Sequence, residues 1–169
     1  DGGNQTVAVK NVRTSLAMPS WSADGTELVF SGGSGFQQGW GIYRAAVDGS
    51  TGPEFVVATG TTVIGPVWSP TTAPDGNEWI AFQDVRPAGA YGTDIFVVDP
   101  DGGTAVNLTS EIGVSWQYPC WSDDATQLAV AWRHTVNAGA ADEAVRNDLV
   151  LLDLVTDTSG TLVVDAGNI

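Results

Sequence analysis

The strongest constraint on this chain is a segment that it states three times. MPSWSADGTELVF (18–30) returns as GPVWSPTTAPDGNEWIAF (65–82) and again as YPCWSDDATQLAVAW (118–132). The shared Pro-x-Trp-Ser element sets Pro19, Pro66 and Pro119 two residues ahead of Trp21, Trp68 and Trp121, at spacings of 47 and 53 residues. Such periods exceed leucine-rich and ankyrin units and match a four-stranded propeller blade with loops of variable length.

Each unit repeats in the same order. After Trp-Ser comes an acidic turn, Asp24-Gly25, Asp75-Gly76 or Asp124-Ala125, and then an apolar strand, ELVF (27–30), EWIAF (78–82) or QLAVAW (127–132). A variable loop leads to GIYRAAV (41–47), DIFVVD (94–99) or DLVLLDL (148–154). A second acidic turn precedes a last strand, EFVVAT (54–59), TAVNLT (104–109) or GTLVVD (160–165). These strands are apolar almost without interruption. A sheet with one wet face alternates, whereas a sheet covered on both faces does not need to. Blades stacked around an axis meet that condition. Glycine supplies the positive φ of tight turns, so Ala125 predicts either a change of turn type or strain of roughly 1 kcal/mol.

The pattern Pro-x-Trp-Ser-x-Asp-Gly, apolar strand, loop, Ile-Tyr/Phe, Asp-Gly-Gly, Leu-Thr resembles the β-propeller repeat of TolB-type proteins. The expectation is an all-β propeller of four-stranded antiparallel blades: blade 1 over 14–60, blade 2 over 61–110 and blade 3 over 111–169. DGGNQTVAVKNVRTSLAMPSWS (1–22) aligns with DGGTAVNLTSEIGVSWQYPCWS (101–122). Residues 1–13 therefore read as the outer strand of a preceding blade. Closed propellers usually have about 4 to 8 blades. Three blades and one strand are expected to belong to a longer propeller or to pair with a second copy, and the first is favoured by a chain that opens inside a repeat without methionine or signal sequence.

The charge is −14, six basic residues against twenty acidic. Such a surface repels phosphate backbones and excludes nucleic acid as a partner class. No apolar run approaches the ~20 residues of a membrane-spanning helix. Cys120 is the only cysteine, and its place between Pro119 and Trp121 predicts a buried structural thiol.

Catalytic signatures are missing. His134 is the sole histidine, and there is neither a GxSxG elbow nor a His-Glu-x-x-His helix. His134 reads as a solvated loop side chain, and no cofactor is expected. DPDGG (99–103) superficially resembles the start of a calcium loop, but it lacks the spaced acids and closing glutamate of that motif. An Asx-stabilised hairpin turn explains it better. Two glycosylation-like triplets, Asn4-Gln5-Thr6 and Asn107-Leu108-Thr109, both fall on the outer-strand repeat pattern and need no sugar to explain them.

Function then falls to the loops. In a four-stranded blade the first and third turns share one face of the disc, here collecting Asp24, Asp48, Asp75, Asp101, Asp123 and Asp124. The other face takes the long segments SGGSGFQQGW (31–40), QDVRPAGAYGT (83–93) and RHTVNAGAADEAVRN (133–147), with the connections TGTTVIG (59–65) and TSEIGVSWQY (109–118). Aromatics with arginine are what interface hot spots favour. Trp40, Arg86, Tyr91, Trp116, Tyr118, Arg133, His134 and Arg146 are the candidate binding residues on that face, with Phe36 beside them. The TolB resemblance implies a protein or peptide partner and a periplasmic or extracellular location. Two alternatives stand beside it: the accessory propeller of a prolyl oligopeptidase-like peptidase, and a carbohydrate- or metabolite-binding propeller.

Overall fold

Among the described residues twelve strands follow one another as three meanders. The computed structural model describes residues 7–9, 16–33, 40–59, 62–86, 92–140, 143–156 and 162–164. The first sheet holds β1 (Leu16–Trp21), β2 (Glu27–Gly32), β3 (Gly41–Ala46) and β4 (Glu54–Val57). The second holds β5 (Val63–Trp68), β6 (Ile80–Val85), β7 (Thr93–Val98) and β8 (Val106–Asn107). The third holds β9 (Ser115–Trp121), β10 (Gln127–Val136), β11 (Ala144–Thr156) and β12 (Leu162–Val164). Every neighbouring pair is antiparallel, and each four-stranded sheet is a blade of an all-β propeller.

The repeated turn explains why the blades begin alike. Ser22 accepts the Glu27 N–H on its hydroxyl at 2.9 Å and donates that hydroxyl to Asp24 at 2.8 Å, while Asp24 accepts the Thr26 N–H. Ser122, Asp124, Thr126 and Gln127 reproduce the same bonds. Ala125 keeps the turn type rather than changing it. Its φ is 55° where Gly25 has 73°, and its N–H still reaches the Ser122 carbonyl at 3.0 Å. Its methyl is fully covered within the apolar cluster between blades 2 and 3, and that burial offsets the strain.

Successive blades join through apolar layers. Val29, Ile42, Val57, Trp68, Ile80 and Phe82 belong to the layer between blades 1 and 2. Ala81, Ile95 and Val97 meet Trp116, Leu128, Val130 and Leu152 in the next. Trp68 is buried and Trp121 half-buried, the latter donating its Nε1 to the Val67 carbonyl at 3.1 Å. Trp21, expected to be equally buried, is 60% exposed. The reason lies in the direction of the contact: each tryptophan reaches back onto the preceding blade, and no described blade precedes blade 1. Of residues 1–13 only 7–9 are described, and Val9 packs on Phe30, Tyr43 and Ala45 at blade 1's back face.

Two further expectations are corrected by blade 3. Cys120 is exposed, not buried, because it points to the side of β9 that no described blade covers. The segment 133–147 is mostly strand. Ten consecutive pairs from Gln127↔Asp153 to Val136↔Ala144 make β10 and β11 one long hairpin arm, with Arg133, His134 and Arg146 on its strands. Its polar composition suited a loop, but an arm with wet faces tolerates the same residues. No helix among the described residues is long and apolar enough to cross a membrane.

Candidate functional site

The first strand of every blade carries the same irregularity. Pairing steps three residues along β1 (Ala17 to Ser20) for two along β2, and β5 and β9 do likewise at Ile64–Val67 and Gln117–Cys120. One extra residue is therefore inserted in each, immediately before the repeated proline. Those residues are Met18, Gly65 and Tyr118, with φ of 52°, 60° and 56°. A residue before proline favours extended backbone, and a side-chain-bearing residue in the left-handed region is strained by roughly 1–2 kcal/mol. Proline fits at such a bulge because its missing N–H takes no rung from the ladder.

The bulge decides where side chains point. In a regular strand residues two apart share a face, yet Trp116 is buried and Tyr118 is 67% exposed. Met18 is half in solvent for the same reason. Together with Pro19, Pro66, Val67 and Pro119 they line an open cleft of about 220 Å³ along the three inner strands. Gly65 sits between the two large side chains, and a β-carbon there would lie 3.3 Å from the Met18 sulfur. Tyr118 was expected among the blade connections; it lies within β9, on this inner ledge.

The loop face assembles only part of the set foreseen. Trp116 is core: its ring stacks on Trp132 at 5.5 Å, and Trp132 stacks on His134 at 3.7 Å. His134 is thus half-buried and not a solvated side chain, with Nε2 3.6 Å from Asp148. Arg86 is not at the surface either. Its Nε donates to Asp94 at 2.9 Å, Nη1 donates to the Val114 carbonyl at 3.2 Å and Nη2 donates to the Glu111 carbonyl. The hydrogen bond that Arg86 donates to Asp94 holds the guanidinium pKa above its ordinary value. Gly92 permits this latch, since a β-carbon would meet the Val114 carbonyl oxygen at 2.0 Å.

Trp40, Arg133 and Arg146 are exposed, and Tyr91 and Phe36 lie outside the described residues. A cleft of about 240 Å³ separates Gly92, Gly113 and Val114 from Arg133 and His134. His134, which lines it, has a buried Nδ1 with no partner among the described residues, as have Trp116 Nε1 and Trp132 Nε1 in the ring stack.

The acidic face is built for structure. Asp24, Asp48, Asp75, Asp99 and Asp124 each accept a backbone N–H two residues on, which closes their own turns. Hydrogen bonds from Ser122 and Thr126 lower the Asp124 pKa from 3.8 to about 2, and Thr26 and Ser22 lower that of Asp24. In DPDGG, Asp99 holds the Asp101 N–H, while Asp101 reaches Arg44 of blade 1 at 2.8 Å. Among the described residues no group of three potential ligands could hold a metal ion.

Solved structures share the overall fold. A putative TolB from Agrobacterium tumefaciens superposes with a TM-score of 0.60 at 22% identity, covering 92% of this chain and 50% of that one. TolB from Acinetobacter baumannii gives 0.51 at 20% identity, covering 80% and 31%. The fold is TolB-like. The chain spans half the length of the first and about a third of the second. No family model and no curated protein matches the sequence.

Met18 and Gly65 are the site positions that sequence reasoning passed over. A signal for them existed only in part: in a motif whose Pro, Trp and Ser hold in all three copies, the position before proline reads Met, Gly, Tyr, but the positions on either side of that pair vary as well. Variation at a structurally fixed, strained position marks a place where the scaffold presents side chains rather than packs them.

Proposed function

We propose that this chain is a non-catalytic propeller scaffold that binds a protein or peptide segment along the inner ledge formed by Met18, Gly65 and Tyr118. One observation carries the reading: of three equivalent bulges with left-handed backbone, two keep that strained conformation on Met18 and Tyr118 and hold a large apolar side chain in solvent beside prolines. Strain of that kind persists where function uses it. Methionine and tyrosine supply adaptable and aromatic contact area, respectively, while Gly65 leaves room for an incoming side chain between them. Exposed Trp40, Arg133 and Arg146 on the loop face extend the contact surface. The acidic rim favours a segment of neutral or positive charge. An envelope or extracellular setting accords with the TolB-like fold.

Catalysis has no support among the described residues. His134 is engaged with Asp148 and Trp132, and no nucleophile is hydrogen-bonded to it. A second reading, a small polar metabolite in the loop-face cleft, draws on His134, which lines it and whose Nδ1 has no partner among the described residues.

Selection of a displayed random peptide library on the folded chain tests the first reading. Enriched peptides should carry apolar and basic residues, compete with one another, and lose binding to Met18→Ala and Tyr118→Ala. Peptides that bind those two variants as well as the parent would refute it. Protection of Arg133 and His134 instead would favour the metabolite cleft.

A further inference from the structure

The first two strands of blade 3 separate before the hairpin arm ends. β9 and β10 pair from Trp121↔Leu128 to Ser115↔Arg133. β10 then runs on to Val136, paired with β11 through His134↔Arg146, Thr135↔Val145 and Val136↔Ala144. β9 has no counterpart for those three residues, because the chain enters it through a turn at 112–113 whose Gly113 has φ 86°. Along 134–136 the edge of β10 that continues past β9 therefore has no strand partner among the described residues. In an antiparallel ladder every second residue turns both its N–H and its C=O to a given side, so this edge is a short ladder left unfilled.

The cleft of about 240 Å³ lies beside that edge, with Gly113 and Val114 across from it. Its lining is unlike the rest of the chain in charge. Twenty side chains are acidic against six basic, yet Arg133, His134, Ser115 and Thr135 line the cleft and no Asp or Glu does. Arg44 and Arg86 are held by carboxylates, whereas Arg133 forms no ion pair among the described residues. Acids on the surrounding elements are engaged: Asp94 takes Arg86, Glu143 accepts the Gly139 N–H at 2.7 Å, and Asp148 faces His134 Nε2 at 3.6 Å. The cleft thus keeps a cation and two hydroxyls, all able to donate hydrogen bonds.

Direction decides what fits. An antiparallel strand added to β10 at 134–136 runs the same way as β9, so its C-terminal end arrives at Ser115 and Arg133. A chain that continued past this point would collide with β9, which fills the edge from Ser115 onward. A strand added in the parallel sense would instead bring its N-terminal end, and any free ammonium there, against Arg133. Only a chain that stops at the cleft, with its carboxylate facing the guanidinium, meets both the space and the charge.

We propose that this cleft captures the C-terminal end of a peptide or protein partner: the last residues add as a short antiparallel strand to β10 at 134–136, and Arg133 and Ser115 bind the terminal carboxylate. Strand addition supplies affinity through main-chain hydrogen bonds, and side-chain contacts supply selectivity. Val145 lines the cleft and is 55% exposed, so an apolar side chain near the partner's end gains cover. The site is separate from the inner ledge. It takes the cleft of the second reading above, with the end of a chain in place of a free metabolite.

Paired peptides test this on the chain carrying Met18→Ala and Tyr118→Ala, where the ledge does not contribute. The probes are hexapeptides rich in Val, Thr and Tyr, labelled at the N-terminus and made both as free acids and as C-terminal amides, with binding read by fluorescence anisotropy. Free acids should bind, and their amides about tenfold or more weaker, since charge-assisted hydrogen bonds are roughly twice as strong as neutral ones. Arg133→Ala should weaken the free acids about tenfold and Arg133→Lys less, with circular dichroism unchanged in both. N-methylation at two adjacent peptide positions should differ in effect by about tenfold, because only alternate residues face β10. Absence of binding by any free acid, amides that bind as tightly as acids, indifference to Arg133→Ala, or equal effects of N-methylation at both positions would each overturn the proposal. Displacement of a bound hexapeptide by N-acetylvaline at equal concentration would overturn it in favour of the free metabolite. Library peptides displayed through their C-termini carry no free carboxylate, so selection at the ledge and capture at this cleft succeed or fail separately.

Discussion

Replacing the three repeat tryptophans one at a time should give a graded series, not a uniform loss. A tryptophan offers roughly 200 Å² of surface, and about 25 cal/mol per Å² gives roughly 4–5 kcal/mol for Trp68 at 7% exposure and no more than about 2 for Trp21 at 60%. Large-to-alanine changes of buried aromatics cost about 3–5 kcal/mol, which places Trp68→Ala near 4. Its Nε1 bond to Glu78 at 2.8 Å contributes about 1 kcal/mol of that. Trp121, half-buried and bonded to the Val67 carbonyl, falls between the two. Urea unfolding followed by circular dichroism reads the series: with a slope of about 2 kcal/mol per M, Trp68→Ala lowers the midpoint by about 2 M and Trp21→Ala by less than about 1 M. Equal losses at Trp21 and Trp68 would refute the argument, because Trp21 would then be covered and the direction of blade contact would be wrong.

Two further outcomes follow from the polar contacts. Asp94→Ala should cost about 3 kcal/mol by stranding the buried Arg86 guanidinium, with peptide binding at the ledge unchanged, as urea unfolding and a binding titration would show; a loss under about 1 kcal/mol would mean the latch is solvated. Because Asp24, Asp48 and Asp124 have folded-state pKa values below the ordinary 3.8, the stability they add is fully present above that value and is lost as pH falls, for Asp124 through about 2. Thermal melts between these limits should show the loss, with a shallower slope in Asp124→Asn.

Much of the architecture is legible in the sequence because it rests on local chemistry. Ser-x-Asp-Gly builds its turn from its own side chains, and Ala125 advertised strain that the backbone confirms. Continuous apolar strands announced two covered faces, as β6 shows. Coverage of an individual residue depends instead on a neighbour far along the chain. Trp21, Trp68 and Trp121 share one motif and differ in exposure only through the presence of a preceding blade. Cys120 has an apolar context and an exposed thiol because the blade that would cover it is not among the described elements. At the site, Trp116 and Tyr118 looked equivalent. The bulge between them is invisible to a reading by alternation, since it needs the pairing with β10 to show that one residue is extra. Arg86 was misplaced for the opposite reason: its partner Asp94 lies eight residues on, across a hairpin whose length the sequence left open.

The ledge account is tested most directly at Tyr118. Glycine is at ease at φ 56°, so Tyr118→Gly relieves roughly 1–2 kcal/mol of strain against a backbone-entropy cost of about 0.5–1 and loses little burial. Stability should stay within about 1 kcal/mol of the parent. Affinity for a peptide selected on the parent, measured by titration calorimetry, should fall about tenfold or more, as loss of an aromatic anchor implies. An unchanged Kd in a variant that folds as well as the parent would contradict the claim that the inner bulges form the binding site.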